Sequence, residues 1–302
     1  MDAGETMGTG KPLGFIGLGL LGSAMADRLC ALGENLVVWN REVEAMDAFA
    51  AKGVLAAAGP AEVAARCDTV MLCVLDDRAV QEVVTGPAGL LSGERAPSMV
   101  IDFSSTRPAT AQTVAGELGR RGAAFLDAPV SGGPPAASEG KLTIMAGGEG
   151  DAFETALPLL NRLGGNVSHV GPAGAGQEAK ILNQLLVGAG YVLMAEVLAM
   201  ARASSLDARA LPQVLAGGLA DSGVLQVIYP LMHEDRFEQP FGRARQLNKD
   251  LTTVAAHAEG LGLTLPVIET AIGRYRAYTN AGNEMADSAS VSRLYARDHP
   301  AE

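Results

Sequence analysis

Lys180, Asn183 and Gln184 stand three and four residues apart in Gly174-Ala175-Gly176-Gln177-Glu178-Ala179-Lys180-Ile181-Leu182-Asn183-Gln184, so on a helix they share one face. A lysine flanked by Ala179, Ile181 and Leu182 loses hydration, which lowers an ammonium pKa toward the range of proton transfer. The neighbouring amides could hold a substrate without adding charge. A lone lysine on an apolar helix equally suits a snorkelling role, with its stem buried and its head in water. A second group is Ser131-Gly132-Gly133, at the end of Asp127-Ala128-Pro129-Val130-Ser131-Gly132-Gly133. A hydroxyl followed by two residues without side chains exposes consecutive N–H groups; the segment fits a carboxylate as an anion nest, and it also fits an ordinary turn. No G-x-S-x-G is present and no histidine is usefully placed, which argues against serine hydrolysis.

The third group is a phosphate cradle. Leu13-Gly14-Phe15-Ile16 leads directly into Gly17-Leu18-Gly19-Leu20-Leu21-Gly22, a G-x-G-x-x-G run that follows an apolar strand pattern and opens a helical one. Gly17 permits a tight turn, Gly19 lets backbone meet a pyrophosphate, and Gly22 lets helix pack on strand. The next strand ends in Asn40-Arg41, where NAD use calls for a carboxylate on the ribose 2′-hydroxyl. A guanidinium there fits a 2′-phosphate, so NADP(H) is expected in preference to NAD(H). Two other readings stay open: Arg41 caps its helix region or pairs with Glu44, and Glu42 turns in to serve the ribose.

These groups need a scaffold, and the hydrophobic pattern supplies one. Compact apolar runs at 13–16, 36–39, 69–74, 99–102, 124–126 and 142–146 read as strands, and amphipathic stretches at 21–31, 42–51, 60–66 and 108–120 as helices. That alternation predicts an α/β doubly wound Rossmann domain with a parallel sheet over residues 12–172, after a loose tail at 1–11. Residues 173–302 read as all-helical, with a long interdomain helix at 177–204, shorter helices at 206–215, 221–229 and 247–259, and breaks at Pro230, Pro240 and Pro266.

Composition narrows the partners. The 302 residues carry a net charge of −11, which argues against a nucleic-acid backbone or an anionic membrane as partner. A small ligand is the default. The longest apolar run, 185–195, falls short of the ~20 residues that cross a bilayer. Cys30, Cys67 and Cys73 show no C-x-x-C pairing and suit free thiols in a reducing cytoplasm. His169, His233, His257 and His299 have no metal-ligand spacing, so no metal is expected.

In combination, Gly17–Gly22, Asp127–Gly133, the lysine helix and Lys249-Asp250 resemble the β-hydroxyacid dehydrogenase family over nearly the whole chain. The resemblance implies that Lys180 is the catalytic lysine, that Ser131, Gly132 and Gly133 take the substrate carboxylate, and that Asn183 is the first amide of the lysine helix. Gln184 stands where many members carry a second Asn, leaving open which amide touches substrate. Ser105 matches a position at the nicotinamide end, Lys249 one near cofactor and substrate, and Leu75 joins the cofactor set. Implied with these are a homodimer or homotetramer and interconversion of a small 3-hydroxy acid with its semialdehyde, as in 2-hydroxy-3-oxopropionate reduction or 3-hydroxyisobutyrate oxidation. An imine reductase is the competing enzyme reading, against which Lys180 and Ser131 argue. A dinucleotide-sensing or assembly module is the non-enzymatic one.

Overall fold

The computed structural model describes residues 11–296; the expected tail, apart from Lys11, and His299 lie outside them. Short β-rich runs and intervening amphipathic ones form, in order, β1 (Leu13–Ile16), α1 (Leu20–Ala31), β2 (Leu36–Trp39), α2 (Glu44–Ala50), β3 (Leu55–Ala56), α3 (Pro60–Arg66), β4 (Thr69–Leu72), α4 (Asp77–Thr85), β5 (Met99–Asp102) and α5 (Pro108–Gly119). There follow β6 (Ala124–Asp127), β7 (Val130–Ser131), α6 (Gly133–Glu139), β8 (Leu142–Gly148), α7 (Gly150–Leu163), β9 (Gly164–Gly171) and α8 (Ala175–Arg202).

The strand order is β3-β2-β1-β4-β5-β6-β8-β7, with β9 also on β8. From β3 through β6 every pairing is parallel. The sheet is not parallel throughout, however. Residues between β6 and β8 are spent on β7, which pairs back on β8 as Val130↔Ile144 and Ser131↔Thr143, and β8 runs antiparallel to both β6 and β7. Because β1 is flanked by β2 and β4, the chain reverses its winding direction there and leaves a crevice beyond the carboxyl ends of β1 and β4.

Adjacent strand residues enter opposite cores. Phe15, Val38, Met71, Ile101 and Leu126 pack with α1 and α7, and Ile16, Val37, Val70, Val100 and Phe125 with α3, α4 and α5. Burial on both faces is why these strands read as continuous apolar runs. All three cysteines are free thiols; Cys67 is buried, and burial pushes it up to about 11.

One compact unit ends at Lys180 and a second begins at Ile181, within α8. The second unit is helical: α9 (Leu211–Leu215), α10 (Tyr229–His233) preceded directly by a π-turn at Val224–Ile228, α11 (Ala244–Gly260) and α12 (Pro266–Tyr278). One of the expected breaks, at Pro230, is corrected here. Pro266 opens α12 after the five residues that follow α11, where the missing N–H removes no helical bond, whereas Pro230 does not break the run: the π-turn passes into α10 through it without interruption. Leu251, Val254, Ile268, Tyr229 and Tyr275 share its core, and the two phenols donate to the carbonyls of Ala208 (2.9 Å) and Ser288 (2.8 Å). The 28-residue α8 outruns its longest apolar stretch and is long and apolar enough to cross a bilayer by length and composition; 44% of its most apolar window is buried within the protein.

Candidate active site

At the carboxyl end of β1, Gly17 takes a positive φ of 99°, and an added Cβ would collide with the carbonyl oxygen of Cys73, just past β4. A Cβ on Gly22 would collide in turn with the Gly17 carbonyl, so α1 presses directly on the turn. Gly19 behaves differently. A Cβ there would meet nothing within 4 Å, which leaves room for a ligand against the backbone. No acid occupies the first turn of α1, so its N-terminal partial charge is uncompensated by side chains there. A pyrophosphate fits this arrangement.

Asn40 ties the turn to β2: its Oδ1 accepts the Leu18 N–H at 2.8 Å, while its Nδ2 donates to the Glu42 carbonyl at 3.0 Å. Arg41 grips Glu42 through Nε (3.0 Å) and Nη2 (2.8 Å), not Glu44, and both side chains are exposed. The hydrogen bond and charge of Arg41 hold Glu42 below its usual range, and Glu42 raises Arg41. Leu75 follows β4 with an exposed side chain, and Ser105, half-buried, follows β5.

The lysine helix is anchored by residues that the motifs alone do not single out. Asp127, fully buried at the end of β6, accepts the Gly174 N–H on Oδ1 (2.7 Å) and the Gln177 N–H on Oδ2 (2.9 Å), capping α8. Burial pushes this carboxyl up to about 6 while the backbone amides pull it down. Gln177, also fully buried, accepts the Thr106 N–H on Oε1 and donates through Nε2 to the Ser104 carbonyl, both at 2.9 Å. Lys180, one turn further and 8% exposed, donates from Nζ to the Val130 carbonyl at 2.7 Å. That carbonyl immediately precedes Ser131, so the lysine and the Ser131 segment are brought together. Gly132 has a φ of 124°, where a side chain is strained, and Gly133 opens α6 instead of completing a simple turn. On neighbouring β5, buried Asp102 accepts the Ser104 N–H at 2.9 Å, and burial pushes it up to about 7.

The remaining candidates lie in the helical unit. Asn183 donates to Gln184 Oε1 (2.8 Å), Gln184 donates to Asp250 Oδ2 (2.6 Å), and Lys249 pairs with Asp250 Oδ1 (3.0 Å) on α11. Gln184 is buried and Asn183 half-exposed. Asp127 and Gln177 are the residues sequence reasoning missed. Their signals were an acid closing a strand and a glutamine directly after the Gly174-Ala175-Gly176 approach to a helix.

Residues 12–171 match the family described as the NAD binding domain of 6-phosphogluconate dehydrogenase, and residues 174–295 match NAD-binding of NADP-dependent 3-hydroxyisobutyrate dehydrogenase. The chain is 34% identical to 2-hydroxy-3-oxopropionate reductase of Escherichia coli, over 93% of this chain and 96% of the relative. It is 32% identical to mitochondrial 3-hydroxyisobutyrate dehydrogenase of Mus musculus, over 98% and 90%. A crystal structure of 3-hydroxyisobutyrate dehydrogenase from Salmonella typhimurium superposes with a TM-score of 0.84 at 28% identity, covering 94% of this chain and 100% of that one. A dinucleotide crevice at a winding reversal, a buried lysine beside a serine-glycine segment, and likeness along both halves make this chain a member of the β-hydroxyacid dehydrogenase family, an NAD(P)-dependent oxidoreductase.

Proposed function

We propose that the protein interconverts a small β-hydroxy carboxylate and its semialdehyde, with 2-hydroxy-3-oxopropionate as first candidate and NADP(H) preferred. The reading is carried by Lys180, whose buried Nζ sits 2.7 Å from the carbonyl that leads into Ser131-Gly132-Gly133. Ser131 Oγ and the Gly132 and Gly133 backbone hold the substrate carboxylate, and Lys180 gives a proton to the developing alkoxide or takes it back in the oxidative direction. When bound, the cofactor supplies or accepts the hydride. Gly17 to Gly22 cradle its pyrophosphate, Asn40 and Arg41 face its adenosine ribose, and Leu75 and Ser105 flank its nicotinamide half. Asn183, half-exposed, is the amide that reaches substrate; Gln184 is held on Asp250, which also orients Lys249.

In this reading residues 12–172 are the cofactor domain, and 173–302 supply substrate contacts and the oligomer interface. Leu186, Leu193 and Met200 recur every seven residues on α8 and are all more than half exposed, which supports burial against another copy in a dimer or tetramer. The decisive experiment is Lys180→Ala assayed with small semialdehydes and both cofactors. Turnover is expected to fall by about 10² to 10⁴ with cofactor affinity preserved; a near-native kcat sinks the assignment.

A further inference from the structure

We infer that Gln177 is a positioning residue that sets Ser105 against the nicotinamide half of the cofactor. The inference rests on the reading above, in which Ser105 touches that half. Its basis is one side-chain amide making two hydrogen bonds of opposite sense to the residues on either side of Ser105. Gln177 Oε1 accepts the Thr106 N–H and Nε2 donates to the Ser104 carbonyl, each at 2.9 Å. The peptide units flanking Ser105 are thereby clamped from one point.

The amide is fully buried, so water does not substitute for either bond when it is removed. Gln177 is also fixed at its own backbone, where its N–H goes to Asp127 Oδ2 at 2.9 Å, and it lies one helical turn before Lys180. The start of α8 does not depend on the side chain, because Asp127 caps it through the Gly174 and Gln177 backbone N–H groups. The loop has its own ties as well: the Ser104 N–H reaches Asp102, and the Val74 N–H reaches Ser104 Oγ. What the Gln177 side chain adds is the register between the Ser104–Thr106 backbone and the helix that carries the lysine. A residue of similar length but without an amide would fill the volume and lose that register.

The test compares binding of a dinucleotide with binding of the same molecule lacking nicotinamide, by isothermal titration calorimetry. The pair is NADPH against 2′-phospho-ADP-ribose, or NADH against ADP-ribose if the wild type binds NADH more tightly. Gln177→Met is expected to weaken the dinucleotide about tenfold and leave the truncated molecule within about twofold. Equal losses for both ligands, or no loss for either, overturn the inference.

Gln177→Glu gives a second measurement that decides the matter if the methionine variant does not fold. An ionised glutamate still accepts from Thr106 but cannot donate to Ser104, whereas the protonated acid can do both. Asp102 and Asp127, which accept from the Ser104 and Gln177 N–H groups, titrate in the same range, so the ratio of dinucleotide to truncated-ligand affinity in Gln177→Glu is divided by the wild-type ratio at each pH. The normalised ratio should recover toward one as pH falls from about 8 to about 6, burial holding the new acid's pKa high. The 2′-phosphate is common to both ligands and cancels in the ratio. A normalised ratio that stays flat with pH overturns the inference. Persistent turnover in Lys180→Ala would instead overturn the catalytic reading, and it leaves this binding ratio unaffected.

Discussion

At Arg41 the guanidinium already has a partner. Glu42 accepts from it at 2.8 and 3.0 Å, and both side chains stand in solvent, where ion pairs are weak and readily exchanged. A 2′-phosphate offers more charge and three acceptor oxygens, two of which match the planar fork of the guanidinium, so Arg41 can leave Glu42 for it. Arg41→Ala is therefore expected to raise KM for NADPH about tenfold or more, with KM for NADH changed less than about twofold; steady-state kinetics with both cofactors check it, and equal effects refute the phosphate role. Residues such as Gly17, Lys180 and Ser131 could be named as candidates from the sequence because each is marked by near neighbours in the chain. Asp127 and Gln177 were not, since their partners lie 47 to 73 positions away and only folding brings them together. The choice of Glu42 over Glu44 by Arg41 likewise depends on backbone direction at the end of β2.

Among the elements, the carboxyl ends of β5 and β6 carry adjacent buried acids, Asp102 paired in register with Asp127. Burial pushes Asp102 up to about 7, well above its unfolded value of 3.8. The folded protein thus binds this proton more tightly than the unfolded chain. Its contribution to stability is complete below about pH 4 and is lost as pH rises through about 7. Asp102→Asn should flatten the dependence of unfolding free energy on pH between about 5 and 7, by up to about 1.4 kcal/mol per pH unit, whatever constant offset the amide adds. Urea titrations across that range test this, and an unchanged slope refutes it. Elements bounded by clear signals, the continuous apolar runs of β1, β2 and β5 and the proline-started α3, fall where the sequence placed them. Among those not named, α7 and α12 run 14 and 13 residues, and the strands were short or chemically mixed. β3 has two residues, β7 has two that pair only through β8, and β9 is mostly exposed with glycines at both ends. α4 was legible in principle: Asp76 caps it by accepting the Ala79 N–H, and Val80, Val83 and Val84 mark its buried face.

For the whole molecule, the boundary between compact units falls inside α8, at Lys180, and not in a loop. A fragment ending there would retain only the first six residues of the helix, with the carbonyls of its last turn unpaired. The same helix carries the apolar row that predicts assembly. Replacing Leu186, 72% exposed, and Met200, 69% exposed, together by Glu should lower the mass found by sedimentation equilibrium, and an unchanged mass would remove α8 from the interface. Of the fold, the two-part α/β and all-helical division was readable from periodicity; the antiparallel return of β8 was not, because nothing local distinguishes a strand that enters a sheet backwards. One last consequence concerns light. The chain has a single tryptophan, Trp39, and it closes β2 directly before Asn40 and Arg41. Its emission overlaps the absorption of reduced nicotinamide, so the protein carries one built-in donor at the edge of its cofactor cradle, and quenching of that donor registers cofactor occupancy without any added label.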